Sequence, residues 1–254
     1  AGIVIEGDIK PLPDPVAEGV RIAEGAAERG LPLRVLGGVA VAILCPSSRR
    51  PPLQRDYADI DFATTGSAKE GVVELMESFG YTGDREFNIL HGHRRLFFWD
   101  ESNQRQVDVF VDEANLCHRI DLKRRIDAAP LTLSLADLTV LKLQIVETNE
   151  KDFLDICAIF ADYDLTVDES GVNSTYVSQL SAGDWGLWKT MGTVAERSER
   201  FALDLCGFEA AELAAERLRR LRAELDSVPK TRRWKLRARI GERKRWYEIP
   251  EEVQ

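Results

Sequence analysis

The sequence predicts an α+β protein, with an N-terminal mixed β-sheet flanked by helices, a mostly helical C-terminal domain and a basic tail. Three observations support this class. Between residues 33 and 111, short segments alternate apolar and polar residues, as half-buried strands do. From Leu131 to about Leu225, apolar residues recur at helical spacing instead. Residues 230–245 then hold nine lysines and arginines and one glutamate. We therefore predict three units, at 1–129, 130–228 and 229–254.

The composition is that of an ordinary folded protein. Hydrophobic residues make up 44% of the 254 residues and charged residues 30%. No apolar run is long enough to span a bilayer and no basic-then-apolar leader is present, so we expect a cytoplasmic protein without a membrane partner. The four cysteines are scattered without a C-x-x-C pair, which argues against a structural zinc site.

The first elements surround a pair of glycines. Apolar spacing predicts a helix over 16–28, and Leu33 to Leu36 reads as the first strand. Gly37 and Gly38 follow directly, and Val39 to Leu44 predicts a short helix behind them. A glycine pair between a strand and a helix exposes backbone N–H groups, an arrangement that suits a phosphate.

Two predicted strands carry carboxylates. Side chains alternate between the faces of a strand, so Asp59 and Asp61 share one face while Ile60 and Phe62 face the core. A second alternating segment, residues 106–112, places Asp108 where a third carboxylate could converge. Carboxylate oxygens are the ligands that Mg²⁺ prefers. The alternative is a pair of solvated surface acids.

One helix and three strands complete the predicted N-terminal domain. Ser67 to Phe79 is predicted to be a helix with Ser67 as its N-cap. Phe87 to Leu90, Arg95 to Trp99 and residues 106–111 are predicted to be strands joined by turns.

The helical region begins with a capping signal. Ser134 is the predicted N-cap of a helix with a leucine stripe, and Lys142 lies beside that stripe, where its ammonium can project towards the first domain. A snorkelling surface lysine is the alternative. Asp152 and Asp155 lie at the start of the next helix, where the helix dipole favours acids irrespective of function.

The tail combines cationic and aromatic residues. Trp234 to Ile240 alternates apolar and basic residues, which predicts a half-buried strand with a cationic outer face. Cations and aromatic rings together suit phosphates and unstacked bases, so residues 230–247 are a predicted RNA contact. The tail segment 230–245 carries a net charge of +8, against 25 basic and 42 acidic residues elsewhere (−17). The alternative is therefore that the tail neutralises the acidic body.

At these motifs the chain resembles a known superfamily. The order of an apolar strand, Gly37-Gly38, Asp59-x-Asp61 and a later lone Asp108 resembles the polymerase-β-type nucleotidyltransferases. The segments 134–144 and 150–155 are similar to the abortive-infection (AbiEii-like) toxin branch, and the resemblance covers about 33–160. One departure is Val39, where the commonest version has Ser or Thr after the glycine pair.

The resemblance implies an activity and a set of residues. It implies a Mg²⁺-dependent enzyme that transfers NMP from an NTP to a hydroxyl acceptor, such as a tRNA end, in a toxin-like manner with an antitoxin-like protein partner. Two Mg²⁺ ions would contribute. The implied site consists of Asp59, Asp61 and Asp108 as metal ligands, Gly37, Gly38, Arg55 and Lys142 towards the nucleotide, and Asp155 to orient the lysine or the nucleotide.

Two other functions are compatible with the same motifs. One is nucleotidyl transfer to a small hydroxylated compound or to a protein hydroxyl. The other is a catalytically silent module that binds a nucleotide or a partner protein on the same fold.

Overall fold

The structure, a computed structural model, describes residues 10–249. Its helices are α1 (Pro15–Glu28), α2 (Gly37–Leu44), α3 (Lys69–Ser78), α4 (Arg85–His91), α5 (Leu135–Leu143), α6 (Glu150–Asp162), α7 (Ser174–Gly183), α8 (Trp185–Asp204), α9 (Glu209–Ser227) and α10 (Arg232–Ile240). Its strands are β1 (Arg34–Leu36), β2 (Ile60–Thr64), β3 (Thr82–Gly83), β4 (Arg95–Asp100), β5 (Arg105–Val111), β6 (Glu113–Asn115), β7 (Arg119–Asp121), β8 (Leu165–Thr166) and β9 (Val172–Asn173). The predicted α+β class is confirmed.

The central sheet is mixed and has the strand order β1-β2-β5-β4-β3. Strands β2 and β5 run parallel at its centre, and the other neighbouring pairs are antiparallel. Ile60, Phe62, Val107 and Val109 point to one face and are fully buried. Helix α1 packs on β1, α2 and α3, so this face is the core of the N-terminal part. The other face carries the acidic residues.

The helical region is joined to the sheet through β1 and α2. Residues 131–133 run beside β1, because Val35 N–H donates to Leu131 O and Leu133 N–H donates to Val35 O, both at 2.9 Å. Helix α5 begins only afterwards, with Ser134 Oγ accepting from Asp137 N–H as the predicted N-cap. Helix α2 contacts α5 and α6, while α9 packs on α6, α7 and α8. The catalytic candidates on α5 and α6 are thereby held close to the glycine pair.

The predicted strand over Phe87 to Leu90 is wrong. These residues lie in α4, whose N-cap Asp84 accepts a hydrogen bond from Phe87 N–H at 2.9 Å. A four-residue apolar run fits either a strand or one helical turn, so the cap decides the outcome. Ile89 and Leu90 remain exposed on this helix.

The tail prediction is also wrong in its secondary structure. Trp234 to Ile240 lies in α10, where Thr231 caps the helix by accepting from Trp234 N–H. Arginine, lysine, leucine and alanine are good helix formers, which favours a helix over a strand for this segment. Helix α10 packs on α7 and α8 instead.

Two smaller predictions differ as well. Helix α3 begins at Lys69 with Ala68 as its N-cap, while the Ser67 hydroxyl lies 3.0 Å from the Thr65 hydroxyl. Helical structure does not begin at Leu131, since residues 131–133 extend along β1. Among residues 10–249, no helix combines the length and apolarity needed to cross a membrane.

Candidate active site

Asp61 and Asp108 lie side by side on the open face of the sheet. In the parallel pair β2 and β5, Asp61 is the register partner of Asp108. Residues in register on neighbouring strands project to the same face, with backbones about 4.8 Å apart. The alternation that buries Ile60 and Phe62 therefore brings the two carboxylates together, as the sequence predicts.

The Asp61 carboxyl has an unusual pKa. Burial raises it, and the negative charges of Asp59 and Asp108 raise it further, to about 7, while Lys142 and Arg95 oppose the shift. Asp59, one residue before β2, is exposed. Its electrostatic effect on Asp61 shows that all three acids contribute to one negative region.

Asp108 already has two partners, which the sequence analysis missed. Arg95 on β4 donates from Nε to Asp108 Oδ1 at 2.7 Å, and Gln106 donates from Nε2 to Oδ2 at 2.6 Å. Gln106 stands two residues before Asp108 on the same strand face, a spacing that could have indicated the contact. Arg95 comes from the neighbouring strand and could be found only once the register was known.

The glycine pair is required by close contacts with the site. Gly37 has a φ of +67°, and a Cβ there would overlap the Asp61 carboxylate, at 3.2 Å from its Cγ. A Cβ on Gly38 would overlap the Arg55 guanidinium, at 2.9 Å from Cζ. These positions thus let Asp61 and Arg55 approach the start of α2. No side chain caps that helix N-terminus, so its first N–H groups are available to an anion.

Asp155 connects two cations across the two parts of the chain. Arg55 donates from Nε and Nη2 to the two Asp155 oxygens, each at 2.7 Å. Lys142 Nζ lies 2.7 Å from Asp155 Oδ2 and 3.1 Å from Asp152 Oδ1. Asp152 also completes the capping box of α6 with Asn149. The predicted pairing of Asp155 with the lysine is therefore present in the structure.

Lys142 and Asp155 each stabilise the charged form of the other. Burial disfavours the Lys142 ammonium, but Asp155 and Asp152 outweigh burial and raise the lysine pKa above its usual value. Burial likewise opposes ionised Asp155, yet Lys142 and Arg55 lower its pKa overall. Arg55 Nη1 donates to Asp56 O, so its remaining nitrogen is also engaged. The predicted contact of Arg55 with a nucleotide phosphate stays a prediction.

The acids have the chemistry of a divalent-cation site. Carboxylate oxygens suit Mg²⁺, and burial together with the charges of Asp59 and Asp108 raises the pKa of Asp61. Over residues 10–249, no three acidic, histidine or cysteine side chains are already gathered closely enough to hold a metal ion. Asp108 is turned to Arg95 and Gln106 instead. The chemistry of the carboxylates fits such an ion, and the assignment of Asp61 and Asp108 as its ligands stays a prediction.

Comparison with known proteins gives only distant structural likenesses. No known protein family and no curated protein matches the chain. The crystal structure of ANT(2")-Ia in complex with adenylyl-2"-tobramycin is similar at a TM-score of 0.39 and 14% identity, covering 84% of this chain and 97% of that one. The crystal structure of JHP933 from Helicobacter pylori is similar at a TM-score of 0.39 and 10% identity, covering 88% of this chain and 94% of that one.

A solution structure of ANT(2'')-Ia, described as an antibiotic-resistance factor, gives a TM-score of 0.36 at 14% identity, covering 74% of this chain and 93% of that one. Likenesses of this size are too weak to support a conclusion about chemistry. The resemblance to the abortive-infection branch stays a prediction.

Proposed function

We propose that this protein is a nucleotidyltransferase that moves NMP from an NTP to a hydroxyl acceptor. The observation that carries the proposal is the Asp61–Asp108 pair, in register on parallel strands and directly beside Gly37. Asp108 is buried and Asp61 is half-buried, so placing these like charges together costs stability. A bound cation is the usual compensation for such an arrangement.

The proposed metal ligands are Asp59, Asp61 and Asp108. Mg²⁺ held there would supply Lewis-acid stabilisation of the triphosphate and lower the pKa of the attacking hydroxyl. Asp61 and Asp108 are in register on neighbouring strands, and Asp59 immediately precedes β2. Binding to Asp108 would require Arg95 or Gln106 to release a carboxylate oxygen, since each oxygen now accepts a hydrogen bond.

The remaining residues would bind and orient the triphosphate. The N–H groups of Gly37 and Gly38 would donate to its phosphate oxygens at the start of α2. Lys142 stays protonated, and its positive charge acts on the nearby Asp61 carboxyl. The same charge would stabilise the negative charge that develops on the leaving pyrophosphate. Asp155 would hold the lysine in place, and Arg55 would hold Asp155.

The absence of a hydroxyl at Val39 is compatible with this arrangement. Val39 is 1% exposed and packs towards α1, so its side chain belongs to the core. Phosphate binding at this position would depend on backbone N–H groups alone. We therefore expect weaker triphosphate binding than a site with an additional hydroxyl donor would have.

The acceptor we favour is an RNA end, such as that of a tRNA, in the manner of a toxin with an antitoxin-like partner. The basic tail supports this acceptor, since backbone phosphates need cations. A small hydroxylated compound or a protein hydroxyl would use the same chemistry at the carboxylates.

A label-transfer assay tests the proposal. Each α-labelled NTP is incubated with the protein and Mg²⁺ in the presence of total RNA, a protein extract or aminoglycosides. We expect label on RNA, and at least about a hundredfold less label with Asp61→Asn, because several kcal/mol of stabilisation are lost. Glu70→Gln, an exposed acid on α3, is the matched control and should retain the activity.

Other outcomes separate the alternatives. Label only on a small molecule would keep the nucleotidyltransferase and remove the RNA acceptor. Calorimetry that shows no binding of any NTP at millimolar concentration by a folded sample with Mg²⁺ would favour a silent binding module and refute the proposal.

A further inference from the structure

A deep cleft lies away from the carboxylates. Its volume is about 690 Å³, and it is formed where the tail meets the β6–β7 hairpin and the start of α8. Five arginines line it, Arg94 and Arg119 from the sheet domain and Arg233, Arg237 and Arg245 from the tail, against three acids, Glu113, Asp184 and Glu248. This is a cationic cleft, and it is the feature that the proposed chemistry leaves unused.

The tail is docked in place, so the cleft is a built feature. Trp246 Nε1 donates to the Thr190 hydroxyl at 3.1 Å, and Glu248 N–H donates to Cys117 O at 3.0 Å. The Trp246 ring packs edge-on against Trp185 on α8, with ring centroids 5.7 Å apart. The tail therefore bridges the sheet domain and the helical domain.

Most of the cleft's positive charge is not neutralised. Within residues 10–249, Arg94, Arg233 and Arg245 have no carboxylate within salt-bridge distance, and all three are exposed. Arg119 pairs with Glu113, and Arg237 donates to the carbonyls of Gly241 and Lys244. The tail thus does not use its cations to neutralise the acidic body here, which leaves them for an external polyanion.

Aromatic surface lies among these arginines. Trp246 and Tyr247 are half-buried, with ring centroids 5.4 Å apart, and both line the cleft. Arg245 lies over the Tyr247 ring at 4.9 Å. Phosphate-binding cations together with partly exposed rings on which bases stack are the two components of single-stranded nucleic-acid binding.

The cleft is connected to the carboxylates through β5 and β4. Glu113 in the cleft is five residues after Asp108, at most about 17 Å along an extended chain. Arg94 precedes Arg95, whose Nε contacts the Asp108 carboxylate. One extended strand of a polymer could therefore lie in the cleft and still reach Asp108.

We infer that this cleft binds a single-stranded nucleic acid and directs its terminal hydroxyl towards Asp61 and Asp108. The acceptor role rests on the proposed function, but the binding does not. Cations contact the phosphates, and Trp246 and Tyr247 stack on bases. The proposed acceptor site therefore consists of the tail together with the β6–β7 hairpin and Arg94, whereas the sequence indicated the tail alone.

Fluorescence anisotropy in EDTA without nucleotide tests the binding alone. The probes are labelled single-stranded RNA and DNA of about 12 nucleotides, a length within known single-strand site sizes, and a duplex of equal length. The variant is Arg233→Gln with Arg245→Gln. The matched control, Arg29→Gln with Lys69→Gln, removes the same charge at the C-cap of α1 and the start of α3, and neither residue lines the cleft.

We expect the variant to bind single strands about tenfold more weakly at about 0.15 M salt. The slope of log K against log salt should become less steep by about 1.4, since each lost phosphate contact is worth about 0.7. The control should match wild type. RNA and DNA arms show whether the 2′-hydroxyl contributes, and tight binding of either supports the inference.

Three results would overturn it: wild-type affinity weaker than about 100 µM, equal losses in variant and control, or tighter binding of the duplex. The label-transfer assay, run with Mg²⁺ and NTP on the same protein preparations, separates the proposed nucleic-acid binding from the proposed nucleotidyl transfer. Binding without transfer would refute the nucleotidyltransferase and keep the cleft. Transfer to another acceptor without binding would refute the cleft alone.

Discussion

Replacing Asp61 with asparagine should stabilise the metal-free protein at high pH. The carboxyl has a pKa of about 7 in the folded protein, against an ordinary value of 3.8. Its contribution to stability is thus fully present below about pH 4, and is lost as the pH rises through 7. Each pKa unit corresponds to about 1.4 kcal/mol, so about three units give roughly 4 kcal/mol. Partial exposure of the side chain reduces this to about 2 kcal/mol.

Urea denaturation in EDTA at pH 5 and pH 8 measures the effect. Asp61→Asn removes the charge at nearly constant shape, so it should exceed wild type in free energy of unfolding by about 2 kcal/mol at pH 8 and by much less at pH 5. Glu70→Gln should change neither value, because that acid is exposed on α3. An Asp61→Asn variant that is equal to or less stable than wild type at pH 8 would refute the crowded-carboxylate account.

Three other substitutions test the surroundings of the site. Gly37→Ala should lower the free energy of unfolding in urea by about 1–2 kcal/mol from its positive φ alone, and by more because the added Cβ overlaps Asp61. Asp155→Leu should lower it by about 3–5 kcal/mol, since Arg55 and Lys142 lose a buried partner. Lys142→Gln should reduce kcat/KM in the label-transfer assay by about a hundredfold, through loss of charge stabilisation.

Each of these has a result that contradicts it. A Gly37→Ala protein with wild-type stability would mean that Asp61 does not approach the α2 N-terminus. A small change in the free energy of unfolding on Asp155→Leu would show that water solvates Arg55 and Lys142 when the Asp155 carboxylate is removed. Lys142→Gln with unchanged kcat/KM would leave the lysine as a structural partner of Asp155 only.

The central part of the site could be predicted because it depends on local periodicity. Alternation along β2 and β5 determined which face Asp61 and Asp108 occupy, since a one-residue slip would have buried the acids and exposed Phe62. The glycine pair was identifiable because few other residues tolerate a φ of +67° at Gly37.

What could not be predicted depends on contacts between distant parts of the chain. Arg55 meets Asp155 one hundred residues later, and no local pattern indicates such a partner. The alternation of Trp234 to Ile240 suggested a strand, but a strand needs an edge to pair with, and the segment instead packs as a helix on α8. The sheet-domain side of the cationic cleft could not be predicted, because Arg94 and Arg119 lie far apart in sequence, one just before β4 and the other at the start of β7.

A crystal structure of the protein with Mg²⁺ and a non-hydrolysable NTP tests the central claim most directly. We expect a cation within about 2.1 Å of oxygens from both Asp61 and Asp108, with the triphosphate against Gly37 and Gly38. A nucleotide bound in the arginine cleft instead, with both aspartates free of metal, would contradict it.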